Sequence, residues 1–278
     1  MTKLISLLLF TILAAAALIV DASDNDDHSV QFTEQRLAPQ LTTHWDSVFL
    51  QHSVEGVLVL FDPLKQTLTT NDLSRASKGF IPASTFKIAN GLIGLELEVV
   101  ADAEQAYPWD RQQRAFKAWN QDHTFTSAFK YSVVPIFQQI ARDIGKQRMA
   151  NMLASLEYGN QKLGPELESF WLNGDIRISA IEQLQFLQKL HDEKLSMSRR
   201  SQQIIKQVML AESNDDYRIF GKTGFANKGD EYIGWWIGWI ETDERTVYFS
   251  LNLDLTNIQQ ASLRKAIVKQ IFQSERMM

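Results

Sequence analysis

The sequence predicts an α/β domain of the α+β type: a mostly antiparallel sheet flanked by helices, with an all-helical block inserted into it. Three observations carry this expectation. Gly56 to Phe61 is a β-rich apolar run near the start. From Pro82 to about Lys206, apolar residues recur at helical spacing. The last third returns to segments rich in aromatic and β-branched residues before an amphipathic close. Strands, then helices, then strands again place the helical block as an insertion between parts of one sheet.

Taken in order, the chain opens with Lys3, an apolar run from Leu4 to Val20, small residues, and an acidic stretch from Asp21 to Asp27. That is the layout of a secretory signal peptide, expected over 1–22. Cleavage after Ala16 or Ala22 fits equally well. The alternative, an uncleaved anchor, would need a run near the short limit of about 17 residues for a spanning helix. A periplasmic protein with no stable membrane association after cleavage is the expectation. Residues 23 to about 38 are polar and charged and read as a loose terminus. Thr42 or Thr43 caps a short helix carrying Trp45, Val48, Phe49 and Leu50. Asp62-Pro63 turns the chain between Gly56–Phe61 and a returning strand, Thr67 to Thr70. Within the block, Ile88, Leu92, Ile93 and Leu95 follow Ser84 at helical spacing, and Val133 to Ile144 and Ile181 to Leu190 are amphipathic. Loops interrupt at Asp102–Asp110 and Gly159–Gly174. Tyr217–Thr223, Tyr232–Ile240 and Val247–Leu255 read as strands, and Ser262–Phe272 as the closing helix. The expected division is 23–80 plus 207–278 for the α/β part and 81–206 for the helical part, together one catalytic domain.

Composition narrows the function. The 278 residues are 45% hydrophobic with a formal net charge of −5, so no basic face points to nucleic acid. There is no cysteine, which removes thiol catalysis and cysteine-ligated metals. The five histidines, His28, His44, His52, His123 and His191, stand singly, without the paired spacing of a zinc site. No metal is expected.

What remains is serine chemistry. Ser-x-x-Lys sets a hydroxyl and an amine one helical turn apart, close enough to share a proton. The chain contains this pair three times: Ser84/Lys87, Ser127/Lys130 and Ser262/Lys265. Ser84 follows Ile81-Pro82-Ala83 at the head of an apolar helix, where backbone N–H groups can stabilise an oxyanion. A plain helix cap is the structural alternative. Ser262, beside Arg264 and Lys265, suits a solvated face. Lys222-Thr223-Gly224 closes a strand-like run and can offer a cation, a hydroxyl and an open backbone edge to an acyl substrate. The same residues fail as a phosphate loop, because Asp216 stands where a glycine is needed and a strand follows instead of a helix. Ser132-Val133-Val134 starts a helical run and could relay a proton. Tyr158-Gly159-Asn160 precedes Trp171-Leu172 in a polar loop.

In this order and spacing, Ser-Thr-Phe-Lys at 84–87, Ser-x-Val at 132–134, Tyr-Gly-Asn at 158–160 and Lys-Thr-Gly at 222–224 resemble the class D β-lactamases, the oxacillinases. The resemblance runs from about Thr43 to Phe272. It implies the serine β-lactamase and penicillin-binding-protein fold, with Ser84, Lys87, Ser132, Lys222 and Trp171 as catalytic residues. It further implies that Lys87 is carboxylated by carbon dioxide, with the Trp171 indole donating to the carbamate and no other cofactor. Apolar neighbours such as Phe86, Val134 and Leu172 would lower the Lys87 pKa and free its amine. An uncarboxylated amine base is the alternative. Thr223, Gly224, Phe225, Arg264, Val134, Leu172, Tyr158 and Asn160 would line the substrate site, with the Ser84 and Phe225 N–H groups as oxyanion hole. Partners are then small β-lactams, acting on a monomer or homodimer. The rivals are a penicillin-binding transpeptidase or carboxypeptidase, which acylates but deacylates slowly, and a β-lactam receptor domain, which stays acylated. Val134 stands where the first usually has asparagine, and the receptor needs a longer membrane region.

Overall fold

Why a block of helices sits within one sheet is answered by which faces the strands bury. The structure, a computed structural model, describes residues 39–228 and 231–278. The expected signal peptide and the terminus up to residue 38 lie outside the described residues. In chain order, β1 (Gln40–Leu41) and α1 (Asp46–Gln51) precede the hairpin β2 (Gly56–Asp62) and β3 (Thr67–Thr70). Then come α2 (Leu73–Ser77), a 3₁₀ turn (Ala83–Phe86), α3 (Lys87–Glu96), β4 (Ala106–Tyr107), β5 (His123–Thr124), α4 (Phe125–Lys130) and α5 (Val134–Ile144). Next are α6 (Lys146–Ser155), α7 (Phe170–Asn173), α8 (Ala180–His191) and α9 (Arg199–Val208). The chain closes through β6 (Leu210–Ser213), β7 (Arg218–Lys228), β8 (Glu231–Glu241), β9 (Thr246–Leu255) and α10 (Leu263–Ser274).

The main sheet has seven strands in the order β1-β3-β2-β9-β8-β7-β6, all antiparallel except the short β1–β3 pair. Successive side chains of a strand point to opposite faces. Here both faces are covered, so the strands read as continuous apolar runs. On β2, Val57, Val59 and Phe61 enter the core shared with the helical block. Leu58 and Leu60 enter a second core with α1 and α10, among Trp45, Phe49, Ile267, Val268, Ile271 and Phe272. On β8, Trp235, Ile237 and Trp239 face the helical side, while Trp236 and Ile240 face α10. The helical side is centred on α3, whose residues from Lys87 to Leu95 are all buried. A helix covered on every side must be enclosed by others, and α3 packs against α5 and α9.

Several elements differ from expectation for local reasons. The cap of α1 is Trp45 and makes no side-chain cap bond; Thr42 instead bonds His44. Lys222-Thr223-Gly224 lies inside β7 and does not end it, because β8 continues the pairing through Asn227. Ser132 precedes α5 in a left-handed conformation (φ 55°) and does not start the helix. Strand β6 and the two-residue strands went unread, being too short for a period to show. Among the described residues no helix is long and apolar enough to cross a membrane.

Strand β8 crosses β7 at Gly238, where an added Cβ would sit 2.0 Å from the Phe220 carbonyl oxygen. The neighbour is backbone and has no room to move. Gly238→Ala should therefore lower stability by about 1–3 kcal/mol, as overpacked sites do. A lower urea midpoint with unchanged slope is expected; wild-type stability would show that the β7–β8 contact is looser than described.

Candidate active site

Of the three Ser-x-x-Lys pairs, burial and competing bonds single out one. Ser127 is spent on the helix cap, where its hydroxyl accepts from the Thr124 N–H as half of a capping box. Ser262 is exposed, and Lys265 reaches Glu212 at 3.1 Å. Ser84, in contrast, is 8% exposed and Lys87 fully buried, with Nζ 2.8 Å from Ser84 Oγ. Ser84 sits in the 3₁₀ turn that feeds α3, so one turn of helix brings the lysine back onto the serine.

Burial lowers the Lys87 pKa to about 7, because a charged ammonium loses its hydration in an apolar setting. The nearest ring is that of Phe137 on α5, 5.2 Å from Nζ. Phe86 supplies part of the apolar wall by stacking on Trp171 (5.5 Å between centroids, 23° between planes). Trp171 is buried, and its indole N–H has no hydrogen-bond partner among the described residues.

Lys222 extends from β7 toward the same place. Its Nζ donates to Ser132 Oγ at 2.5 Å and to the Thr223 carbonyl at 3.1 Å. Its pKa lies well below the ordinary lysine value, first through burial and then through the charges of Lys87, Arg264 and Lys265. Arg264, at the start of α10, donates from Nη1 to the Gly224 carbonyl at 2.5 Å. Burial pushes its pKa down to about 10. Among the described residues, no carboxylate pairs with Lys87, Lys222 or Arg264. Three desolvated cationic groups without an anion make a site suited to one.

The edge of β7 supplies the backbone. Pairing with β6 stops at Phe220, and the Gly221 N–H donates to Met209 on that side. Alternation along a strand then turns the N–H groups of Thr223 and Phe225 to the same open edge. The Ser84 turn presses against this strand at Gly224, where a Cβ would stand 3.0 Å from the Pro82 carbonyl oxygen. A side chain there would need the turn to give by a few tenths of an ångström, so glycine lets the two lie closest.

Leu172 and Phe225 line a cavity of about 730 Å³ with Phe116, Tyr232 and Ile258. Sequence reasoning missed Phe116, in a loop, and Ile258, at the head of a short 3₁₀ turn (Ile258–Ser262), exposed apolar residues in segments that carry no periodic signal. It also missed Phe137, one helical turn beyond Val133 in an otherwise ordinary amphipathic pattern. Val134 is the first residue of α5 and is partly buried. Two expected substrate contacts require correction. Tyr158 is 1% exposed, its ring edge-on to Phe86 and Phe186, so it lies in the core behind Ser84. Asn160 is exposed and closes its own loop, donating to the Asp175 carbonyl and accepting from the Arg177 N–H. Neither presents a side chain to the Ser84–Lys222 site.

The comparisons with known proteins agree with this geometry. Residues 52–273 match the family described as the penicillin binding protein transpeptidase domain. Among named relatives, the chain is 47% identical to β-lactamase OXA-48 of Klebsiella pneumoniae over 84% of this chain and 88% of that one. It is 42% identical to β-lactamase OXA-10 of Pseudomonas aeruginosa, over 84% and 89%. The solved structure of FUS-1 (OXA-85), a class D β-lactamase from Fusobacterium nucleatum, aligns with a TM-score of 0.82 at 34% identity, over 84% of this chain and 98% of that one. The chain belongs to the class D β-lactamases.

With its pKa lowered to about 7, Lys87 is charged below that pH and neutral above it. Only the neutral amine can receive the Ser84 proton or react with carbon dioxide. Labelling of Ser84 by an acylating probe should accelerate as pH rises through about 7 and then level. A rate that stays flat from pH 5 to 9, about two units either side, would show that Lys87 does not govern the serine.

Proposed function

We propose that the protein hydrolyses the amide bond of β-lactam antibiotics, penicillins and oxacillin-type compounds among them, and thereby confers resistance on a cell that exports it to the periplasm. The observation that carries the reading is the buried Lys87 amine held 2.8 Å from the Ser84 hydroxyl with its pKa lowered to about 7. A hydroxyl becomes a nucleophile when a neighbouring base can take its proton. Ser84 Oγ then bonds the lactam carbonyl carbon while Lys87 receives the proton. The developing oxyanion meets the N–H groups of Ser84 and Phe225. As the C–N bond breaks, Ser132, bonded to Lys222, delivers a proton to the ring nitrogen. Water then cleaves the Ser84 ester and releases the opened product.

Thr223 and Arg264 hold the carboxylate of the substrate, and Gly224 lets the ring lie along β7. A guanidinium bonded only to the Ala261 and Gly224 carbonyls among the described residues fits that task. Leu172 and Phe225 face the substrate side chain from the neighbouring cavity.

Carboxylation of Lys87 by carbon dioxide fits the residues present. The amine is dry and readily neutral, and the buried Trp171 N–H lacks an acceptor among the described residues, so it can donate to a carboxylate there. Once in place, the added carboxylate supplies an oxygen base for both acylation and deacylation. Lys87 as a plain amine would serve acylation but leave the deacylating water without that base.

Lys87→Ala should reduce nitrocefin turnover by about 10²–10⁴-fold, the usual worth of a general base. Added bicarbonate should raise wild-type turnover and leave the variant unchanged. Unimpaired turnover by Lys87→Ala would overturn the role of Lys87. A burst of one equivalent followed by arrest in the wild type would instead favour an acylated receptor or transpeptidase.

A further inference from the structure

Ser84 stands on a turn that is strained and buried. Ala83, immediately before it, has φ 51°, a left-handed conformation for a residue with a side chain. Such a conformation is costly and lasts only where its surroundings enforce it. The carbonyls that flank it are fastened by side chains of three elements. The Trp235 indole of β8 donates to the Ile81 carbonyl at 2.8 Å. The Thr85 hydroxyl donates to the Pro82 carbonyl at 2.7 Å and accepts from the Gln183 amide of α8 at 3.0 Å. Tyr158 is buried behind the turn with its ring edge-on to Phe86, and its hydroxyl makes no hydrogen bond among the described residues. Thr85 is 1% exposed and Gln183 fully buried. Polar groups sunk in an apolar core cost stability unless they secure something, and these converge on the carbonyl one residue before the strained Ala83.

We propose that Thr85 and Gln183, with Tyr158 behind them, are positioning residues that hold the Ala83–Ser84 turn so that Ser84 Oγ stays on Lys87 and at the open edge of β7. This deepens the β-lactam reading and rests on it. It also gives Tyr158 an assignment other than substrate contact. The pair works through the backbone: with the Thr85 hydroxyl gone, the Pro82 carbonyl loses its side-chain donor and Ala83 can relax toward right-handed backbone. The serine then leaves its place by a fraction of an ångström or more.

The test separates the hydroxyl from the shape of the side chain. Thr85→Val keeps the volume and removes the bond; Thr85→Ser keeps the bond. Acylation by nitrocefin is measured in single turnovers and divided by the concentration of reactive Ser84 from burst titration, so that loss of folded protein does not count. For Thr85→Val we expect a per-site acylation rate about 10–100-fold lower, as displacements near 1 Å cause. The midpoint of its pH dependence should be unchanged, because Lys87 keeps its surroundings. Thr85→Ser should stay within about threefold of wild type, the spread of a conserved hydrogen bond. Gln183→Met, which removes the amide and keeps the length, should slow acylation in the same direction and serves if Thr85→Val does not fold. A wild-type rate per site in Thr85→Val and Gln183→Met, or a Thr85→Ser as slow as Thr85→Val, would overturn the proposal. Failure of the wild type to acylate at all would overturn the β-lactam reading instead.

Discussion

A lysine taken wholly out of water is the condition on which the rest of the site depends. Lys87 begins α3, the helix that is covered on every side, and its amine meets Ser84 and the ring of Phe137 instead of solvent. Desolvation alone accounts for its lowered pKa. The apolar mass that produces this state is assembled from distant parts of the chain: α5, α7 and α9 from the helical block, and β7 and β8 from the last third. A buried amine is costly. Here that cost is the origin of the reactivity, because the same loss of hydration that destabilises the ammonium leaves a neutral base beside the serine.

The sheet contributes an edge and a second cation. Since β6 is short, the β6-side edge of β7 is open beyond Gly221 while β8 pairs its other edge, and the N–H groups on the open edge turn toward the Ser84 turn. Lys222, one residue on, reaches Ser132, whose left-handed backbone aims the hydroxyl out of the α4–α5 connection. Arg264 approaches from α10 across the strand. Burial first, and then the charges of Lys87, Arg264 and Lys265, lower the affinity of Lys222 for its proton, while burial lowers that of Arg264; neither has a carboxylate partner among the described residues. A carboxylate placed between Lys222 and Arg264 would offset the positive charge gathered there.

Much of this was legible in the sequence, and the omissions have physical reasons. Alternation and apolar runs disclosed β2, β7, β8 and β9, because both faces of the sheet are buried and even a simple apolar count finds such strands. Helices α5 and α8 showed through their amphipathic period. Two-residue strands and β6 carry no period and stayed hidden. For the site, motif order selected Ser84 and Lys87 from three equal pairs, a choice the structure explains by the capping duty of Ser127 and the exposure of Ser262. Tyr158 and Asn160 were expected against substrate because a motif reports that residues matter but not where they point. Phe137, Gln183 and Trp235 were invisible as site residues, since each is also a good core or helix residue and only packing reveals what it touches.

The central claim is that Lys87 is neutral near neutral pH because it is dry. Its most direct measurement is a titration of the protein carrying ¹³C-labelled lysine side chains, followed by NMR in buffer freed of carbon dioxide, with Lys87→Ala to assign the resonance. The account predicts that the Lys87 signal titrates at about 7, apart from the exposed lysines near 10.4. A Lys87 signal that remains that of an ammonium up to the range of the exposed lysines would contradict it.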